Sequence, residues 1–320
     1  MLPVWSFVLF YLYGIPLVLL YSLIIYVLLS RRTYFSSAFY TLVAIFGIQD
    51  ITCYINAQFV LRGPLCEFMY ANFFYSLEII YQKYPIFFIF IRFATELNGQ
   101  IGTVILAVYR ITALVAPLKH EAVWKGCLPY LLTIFFAMPF CLYGFVFLNM
   151  GKLECSRKGG KVTGCFINYD HSVLLYGLSI IDINQVLFVV VPTTSGVLNL
   201  LSLFLLYSRR KNLRSQRTWR HEISLSLSTC AIFVSHIGYG VITQQVLHRY
   251  MELDLQLITF ILGCVIPLIQ DTSILTTVTF LLISKTIRRE VAKLTVEQLR
   301  RTPILSSISI SSTTPFYLKQ

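Results

Sequence analysis

The chain has 320 residues, of which 57% are hydrophobic and only 12% charged, and it carries a formal net charge of +12. A soluble globule of that composition would be coated with apolar surface, so a membrane explains the basic excess before a nucleic acid does. No HExxH, P-loop or GxSxG sequence occurs, nor any Cys/His cluster with metal spacing, so neither an enzyme nor a cofactor or metal is expected.

Seven apolar stretches follow one another, near Ser6 to Ser30, Phe39 to Leu61, Phe93 to Leu114, Cys127 to Leu148, Ile183 to Tyr207, Ile223 to Leu247 and Leu255 to Ser284. About 20 apolar residues of helix cross a bilayer, because backbone groups cannot be left unpaired in lipid. The pattern predicts an all-α, seven-transmembrane bundle as one domain, 1–284, followed by a cytoplasmic tail, 285–320. The aromatic segment between Cys66 and Phe93 is interrupted by Glu78, Lys83 and Pro85 and reads as an outer loop lying in the interface.

Of the 26 Lys and Arg residues, 17 fall on one side of this arrangement: Arg31-Arg32, Lys119 and Lys125, six from Arg209 to Arg220, and those from Lys285 onward. Seven fall on the other side: Arg62, Lys83, Lys152, Arg157, Lys158, Lys161 and Arg249. The positive-inside rule then sets the N-terminus outside and the C-terminus in the cytoplasm. No Lys or Arg precedes the first stretch, which reads as a retained span and not a signal peptide. Three cysteines fall outside: Cys66, Cys155 and Cys165. A Cys66 to Cys165 bridge is the expected one, since it braces the entrance to the bundle; Cys155 to Cys165 is the alternative.

An ionisable group at the centre of a span costs about 2.5–3.5 kcal/mol, so those present should face the interior. Asp50, Asn199 and Asp271 lie in the second, fifth and seventh spans and form a candidate internal polar network. In the third span Arg92 and Glu96 share a helical face as a candidate ion pair. Glu96 precedes Arg110 by a helical rise of about 21 Å. That depth suits the floor of an outward-facing pocket, with Asn98, Asn184, Gln185, His236 and Gln244 as further candidate ligand contacts. Asp182, Gln245 and Gln256 fall at similar depth.

The run VYRITALVAPLKH, Val108 to His120, resembles the inner end of helix three in rhodopsin-like G-protein-coupled receptors, with Arg110 followed seven residues later by Pro117-Leu118. The resemblance implies a G-protein contact at Arg110 and Pro117. Tyr109 stands where that family has an acid, Ile111 follows the arginine, and the seventh span has CVIPLIQD in place of NPxxY. Arg209, Arg210 and Arg217 of the third inner loop, with Arg288 of the tail, meet the anionic inner leaflet and would share the G-protein surface. The run KTIRREVAKLTVEQLRR places Ile287, Val291 and Leu294 on one face, predicting a short amphipathic eighth helix over about 285–301. The following SSISISSTT run makes arrestin an expected further partner.

Four runs taken together, IPLVLLYSLIIYVLL, FGIQDITCYINAQFVLRGP, NGQIGTVILAVYRITALVAPLKHEAVW and SKTIRREV, resemble the nematode serpentine chemoreceptors, most closely class V within the class-gamma group. That resemblance implies a G-protein-coupled receptor for an environmental or pheromone-like small molecule, in the plasma membrane and cilia of chemosensory neurons. Two rival readings remain. One is a ligand-gated channel subunit like the seven-helix insect odorant receptors, whose N-terminus is inside. The other is a transporter, which the odd number of spans disfavours.

Overall fold

The computed structural model describes residues 4–31, 35–58, 62–63, 85–148, 152–158, 161–168, 180–208, 230, 233–234, 237–238, 241–242, 260–283 and 285–301. Among them the apolar stretches are helical throughout. Helix α1 spans Val4–Ser30, α2 Ala38–Ala57, α3 Pro85–Val115, α4 Pro117–Tyr143 and α5 Ile180–Ser208. A π-turn, Ile261–Val265, leads into α6, Ile266–Ile283, and α7 follows at Lys285–Arg301. Six of these helices, all but α7, are long and apolar enough to cross a membrane. Between α4 and α5 lies an antiparallel hairpin of β1, Lys152–Lys158, and β2, Lys161–Asn168, whose register sets Cys155 opposite Cys165.

Two helices begin earlier than expected. Helix α3 starts at Pro85, inside the segment read as an outer loop, and its 31 residues measure about 46 Å against a hydrocarbon core of about 30 Å. Proline is tolerated in a first turn, where its missing N–H would have no partner, so Pro85 opens this helix and does not break it. Helix α4 starts at Pro117, so Lys119 and Lys125, assigned above to a loop, sit in its first turns. Pro117 also ends α3, because the residue before a proline is pushed out of the α region; Ala116, at φ −132°, is the whole connection.

Packing follows chain order around α3, which touches α2, α4 and α5, while α1 and α6 close the other side against α2. The largest buried cluster, with Tyr21, Ile24, Val27, Val43, Ala44, Val278 and Leu281, joins α1, α2 and α6. Gly47 permits the close α1–α2 approach, since a β-carbon there would strike Tyr21 and Ile25 at 2.8–2.9 Å. Ile287 and Val291 of α7 pack into the same cluster, so the apolar face of the amphipathic helix lies against the bundle. Beside them the Lys293 ammonium donates to Glu290 at 2.8 Å, which holds that carboxyl below its ordinary range. Outward, Leu12 is 72% and Leu200 69% exposed; in lipid such side chains are in their preferred solvent.

Of the sixth predicted span, Cys230, Phe233, Val234, Ile237, Gly238, Val241 and Ile242 are described, and all are helical. Phe233 fills the space beside Gly196 of α5, and Ile242 packs with Phe188 and Ile266.

Candidate functional site

Among the described residues, three groups of buried polar side chains bear on function, each joining different helices. The first is at the predicted outer half, between α3, α4 and α5. Arg92 Nε donates to Glu96 Oε1 at 3.1 Å, the two residues one turn apart on α3, and both side chains are largely buried. The Tyr143 hydroxyl at the end of α4 donates to Asn184 Oδ1 of α5 at 2.5 Å. Around them pack Ile89, Phe90, Leu97 and Ile183, with Phe93 5.5 Å from the Tyr143 ring. Asn98 is buried, with its Oδ1 unpartnered, and Gln185 is half-buried. An apolar, aromatic lining around a few polar anchors is the usual make-up of a small-molecule site.

The second is between α1, α2 and α6. Asp271 accepts from Arg62 Nη2 at 2.6 Å and from the Tyr13 hydroxyl at 2.5 Å. Arg62, counted above with the outer connections, has no exposed surface at all. Its burial has a physical reason: the guanidinium is paired with Asp271 and lies 4.0 Å from the Phe10 ring centre and 5.9 Å from that of Tyr54. Removing it from the outer count only strengthens the charge asymmetry. Gly14 leaves room for the Tyr54 hydroxyl, which occupies the place a β-carbon would take.

The third is at the predicted inner end, where α2 begins, α3 ends and α4 begins. Ser37 caps α2, accepting from Phe39 N at 3.2 Å, and the Glu121 carboxylate of α4 accepts from Ala38 N at 2.8 Å and from Ser37 Oγ at 3.2 Å. A carboxylate at a helix N-terminus answers both its free N–H groups and its dipole. The Tyr109 hydroxyl joins the same pair, 3.1 Å from Ser37 Oγ and donating to Glu121 Oε2 at 3.3 Å. Trp124 Nε1 donates to Thr112 Oγ1 at 2.8 Å, and the His120 ring stacks edge-on against Tyr109 with centres 4.3 Å apart. Arg110, the next residue after Tyr109, is buried. Pro117 and Leu118 stand exposed at the corner, Leu118 almost completely.

Residues 7–291 match the sequence profile of the Srg family chemoreceptors, nearly the whole chain. The chain belongs to the Srg chemoreceptor family. It is also 26% identical over 170 residues to serpentine receptor class gamma-2 of Caenorhabditis elegans, a match covering 51% of this chain and 49% of that protein. The chain thus spans about half the length of the curated relative it matches. This Srg chemoreceptor is a multi-pass membrane protein, and its bundle of apolar helices is the serpentine architecture expected above.

Within the receptor, the residues singled out by depth separate. Glu96 and Asn184 come to one region, with Tyr143 between the helices that carry them. Asp50, Asn199 and Asp271 each have their own partners: Asp50 accepts from Tyr21 at 3.2 Å, Asn199 donates to the Ser195 carbonyl at 2.9 Å, and Asp271 holds Arg62 and Tyr13. Ser195 in turn donates to Thr103 of α3 at 3.2 Å. Arg288 is exposed on α7. His236, Gln244, Arg209, Arg210, Arg217 and Cys66 lie outside the described residues, as do the side chains of Cys155 and Cys165. Sequence reasoning missed Tyr143, Tyr13 and Glu121. A buried tyrosine needs a partner for its hydroxyl, which was the available signal for the first two, but in a chain with 20 tyrosines it singles out none.

Proposed function

We propose that this receptor takes a small-molecule ligand between the helices at its outer end and activates a heterotrimeric G protein at its cytoplasmic end. The observation that carries the proposal is that one helix, α3, bears the buried Arg92–Glu96 pair near one end and the buried Arg110, beside the Tyr109–Glu121 contact, near the other. A ligand that shifts α3 at its outer half therefore acts on the same rigid element that holds the inner junction. Glu96, Asn98, Asn184 and Gln185 are the proposed ligand contacts, with His236 and Gln244 of the sixth span. Arg110 and Pro117 face the G protein, and exposed Leu118 adds an apolar contact. Arg209, Arg210, Arg217 and Arg288 hold the anionic leaflet and the same partner. Asp50, Asn199 and Asp271 stabilise the helix contacts that must rearrange. The tail recruits arrestin after phosphorylation, and the receptor works in the plasma membrane of chemosensory cilia.

The test is nucleotide exchange on purified Gα proteins co-reconstituted with the full chain, using ligands found by a calcium screen in cells expressing it. The expected result is ligand-dependent acceleration on at least one Gα class, lost by ten-fold or more in Arg110→Ala at equal surface expression. If no Gα class responds to ligand-occupied receptor, the coupling half of the reading is wrong.

A further inference from the structure

Ten buried side-chain nitrogen and oxygen atoms among the described residues lie outside any hydrogen bond of good geometry, and five of the ten belong to three residues at one place: the Tyr54 hydroxyl, which the Arg62 guanidinium approaches, both ends of the Gln58 amide, and Arg62 Nε and Nη1. Buried polar atoms are normally paired, and an orphaned one costs stability, so a concentration of them marks a place built for something else to bind. Arg62 is wholly buried and Gln58 more than nine-tenths buried. Tyr54 and Gln58 are one helical turn apart at the end of α2 and share a face, and the Tyr54 ring lies 5.9 Å from the Arg62 guanidinium. Phe10 at 4.0 Å supplies an apolar wall.

We infer that Tyr54, Gln58 and Arg62 form a ligand subsite between α1, α2 and α6 for an uncharged, oxygen-bearing head group, a ketone or ester carbonyl, on a small apolar molecule. The charges decide the class. Arg62 is already neutralised by Asp271 at 2.6 Å, which also holds the Tyr13 hydroxyl, so the cluster as a whole has no net charge to offer an anion. A carboxylate would have to displace Asp271 or sit against it in a low-dielectric interior. A carbonyl oxygen instead takes donors from Arg62 and Gln58 and leaves the ion pair intact. The amide oxygen of Gln58 and the Tyr54 hydroxyl then remain to select for a neighbouring hydroxyl. This site is separate from the α3–α5 contacts proposed above and rests on the receptor reading only for the ligand being a small molecule.

The experiment uses the full chain in lipid nanodiscs, with empty nanodiscs subtracted, and four probes of similar size: nonan-2-one, methyl octanoate, sodium octanoate and nonane. Saturation-transfer NMR measures their binding with no G protein present. The ketone and the ester are expected to bind saturably and compete with each other, with octanoate and nonane at least ten-fold weaker. Gln58→Leu is expected to weaken the ketone about ten-fold without lowering the unfolding temperature. Because Arg62→Met alone strands Asp271 and can fail to fold, the double variant Arg62→Met with Asp271→Leu removes both charges together, and it should stay folded while losing the ketone. Saturable binding absent for both carbonyl probes, octanoate binding as tightly as the ketone, nonane binding as tightly, or Gln58→Leu leaving the ketone unaffected would each overturn the subsite. Binding without any exchange response would instead defeat the coupling proposal and leave the subsite standing.

Discussion

At residue scale, the most informative position is Tyr109. The acid that rhodopsin-like receptors carry before the arginine is missing here, yet an acid is still present at the junction, moved to Glu121 of α4, with the tyrosine on α3 donating to it at 3.3 Å. That contact holds the tyrosine, not the arginine, and it is tied to a third helix because Glu121 also caps α2 through Ala38 N and Ser37. A hydrogen bond to a charged group contributes about 1.5–3 kcal/mol, and Tyr109→Phe removes one, with the contact to Ser37, while leaving Glu121 the Ala38 and Ser37 donors and the Lys125 ammonium at 3.7 Å, so its cost should fall near the lower end. Glu121→Ala removes the cap as well and should cost about 2–3 kcal/mol. Both variants are expected to raise ligand-free nucleotide exchange, and their thermal-unfolding effects should be less than additive, since each removes the same bond. Additive stability losses with unchanged basal exchange would show that the junction is packing alone.

Between elements, what a sequence can reveal depends on whether the surrounding solvent does the selecting. Span centres were legible because lipid admits only helices with apolar surfaces, and α1, α2 and α5 fall close to their expected places. The starts of α3 and α4 were not, because a first turn in the interface carries aromatic or charged residues and looks like a loop. Contacts such as Arg62 with Asp271, 209 residues apart, leave no local trace. Glu96 could be found as an acid that had to be buried, whereas its setting beside α4 and α5 could not. The hairpin bears on the choice between the Cys66–Cys165 bridge expected from the sequence and its Cys155–Cys165 alternative. Cα atoms directly opposite in an antiparallel pair lie about 4.5–5.5 Å apart, inside the range a disulfide spans. The Cys155–Cys165 register therefore favours the smaller of the two bridges considered. A non-reduced peptide map is expected to join Cys155 to Cys165 and leave Cys66 alkylatable; a Cys66–Cys165 peptide would reverse that preference.

For the whole molecule, the question that decides topology is parity. Six membrane-length helices are described, and six crossings would return the chain to the side on which it started. The apolar stretch from Ile223 to Leu247 supplies the length for a seventh, and the residues described within it are helical, with Phe233 beside Gly196 of α5 and Ile242 against Ile266 of α6. Seven crossings put the two ends on opposite faces, and the basic connections choose which: the α3–α4 corner, the segment after α5 and α7 all carry the positive side. A tag before Val4 should accordingly be stained by antibody on intact cells, while a tag inserted between Arg209 and Arg220 should be stained only after permeabilisation. The opposite pattern is that of the channel-type odorant receptors, and it would remove the G-protein surface from the cytoplasm. Staining of both tags on intact cells would instead mean that the charge asymmetry does not set this bundle's orientation.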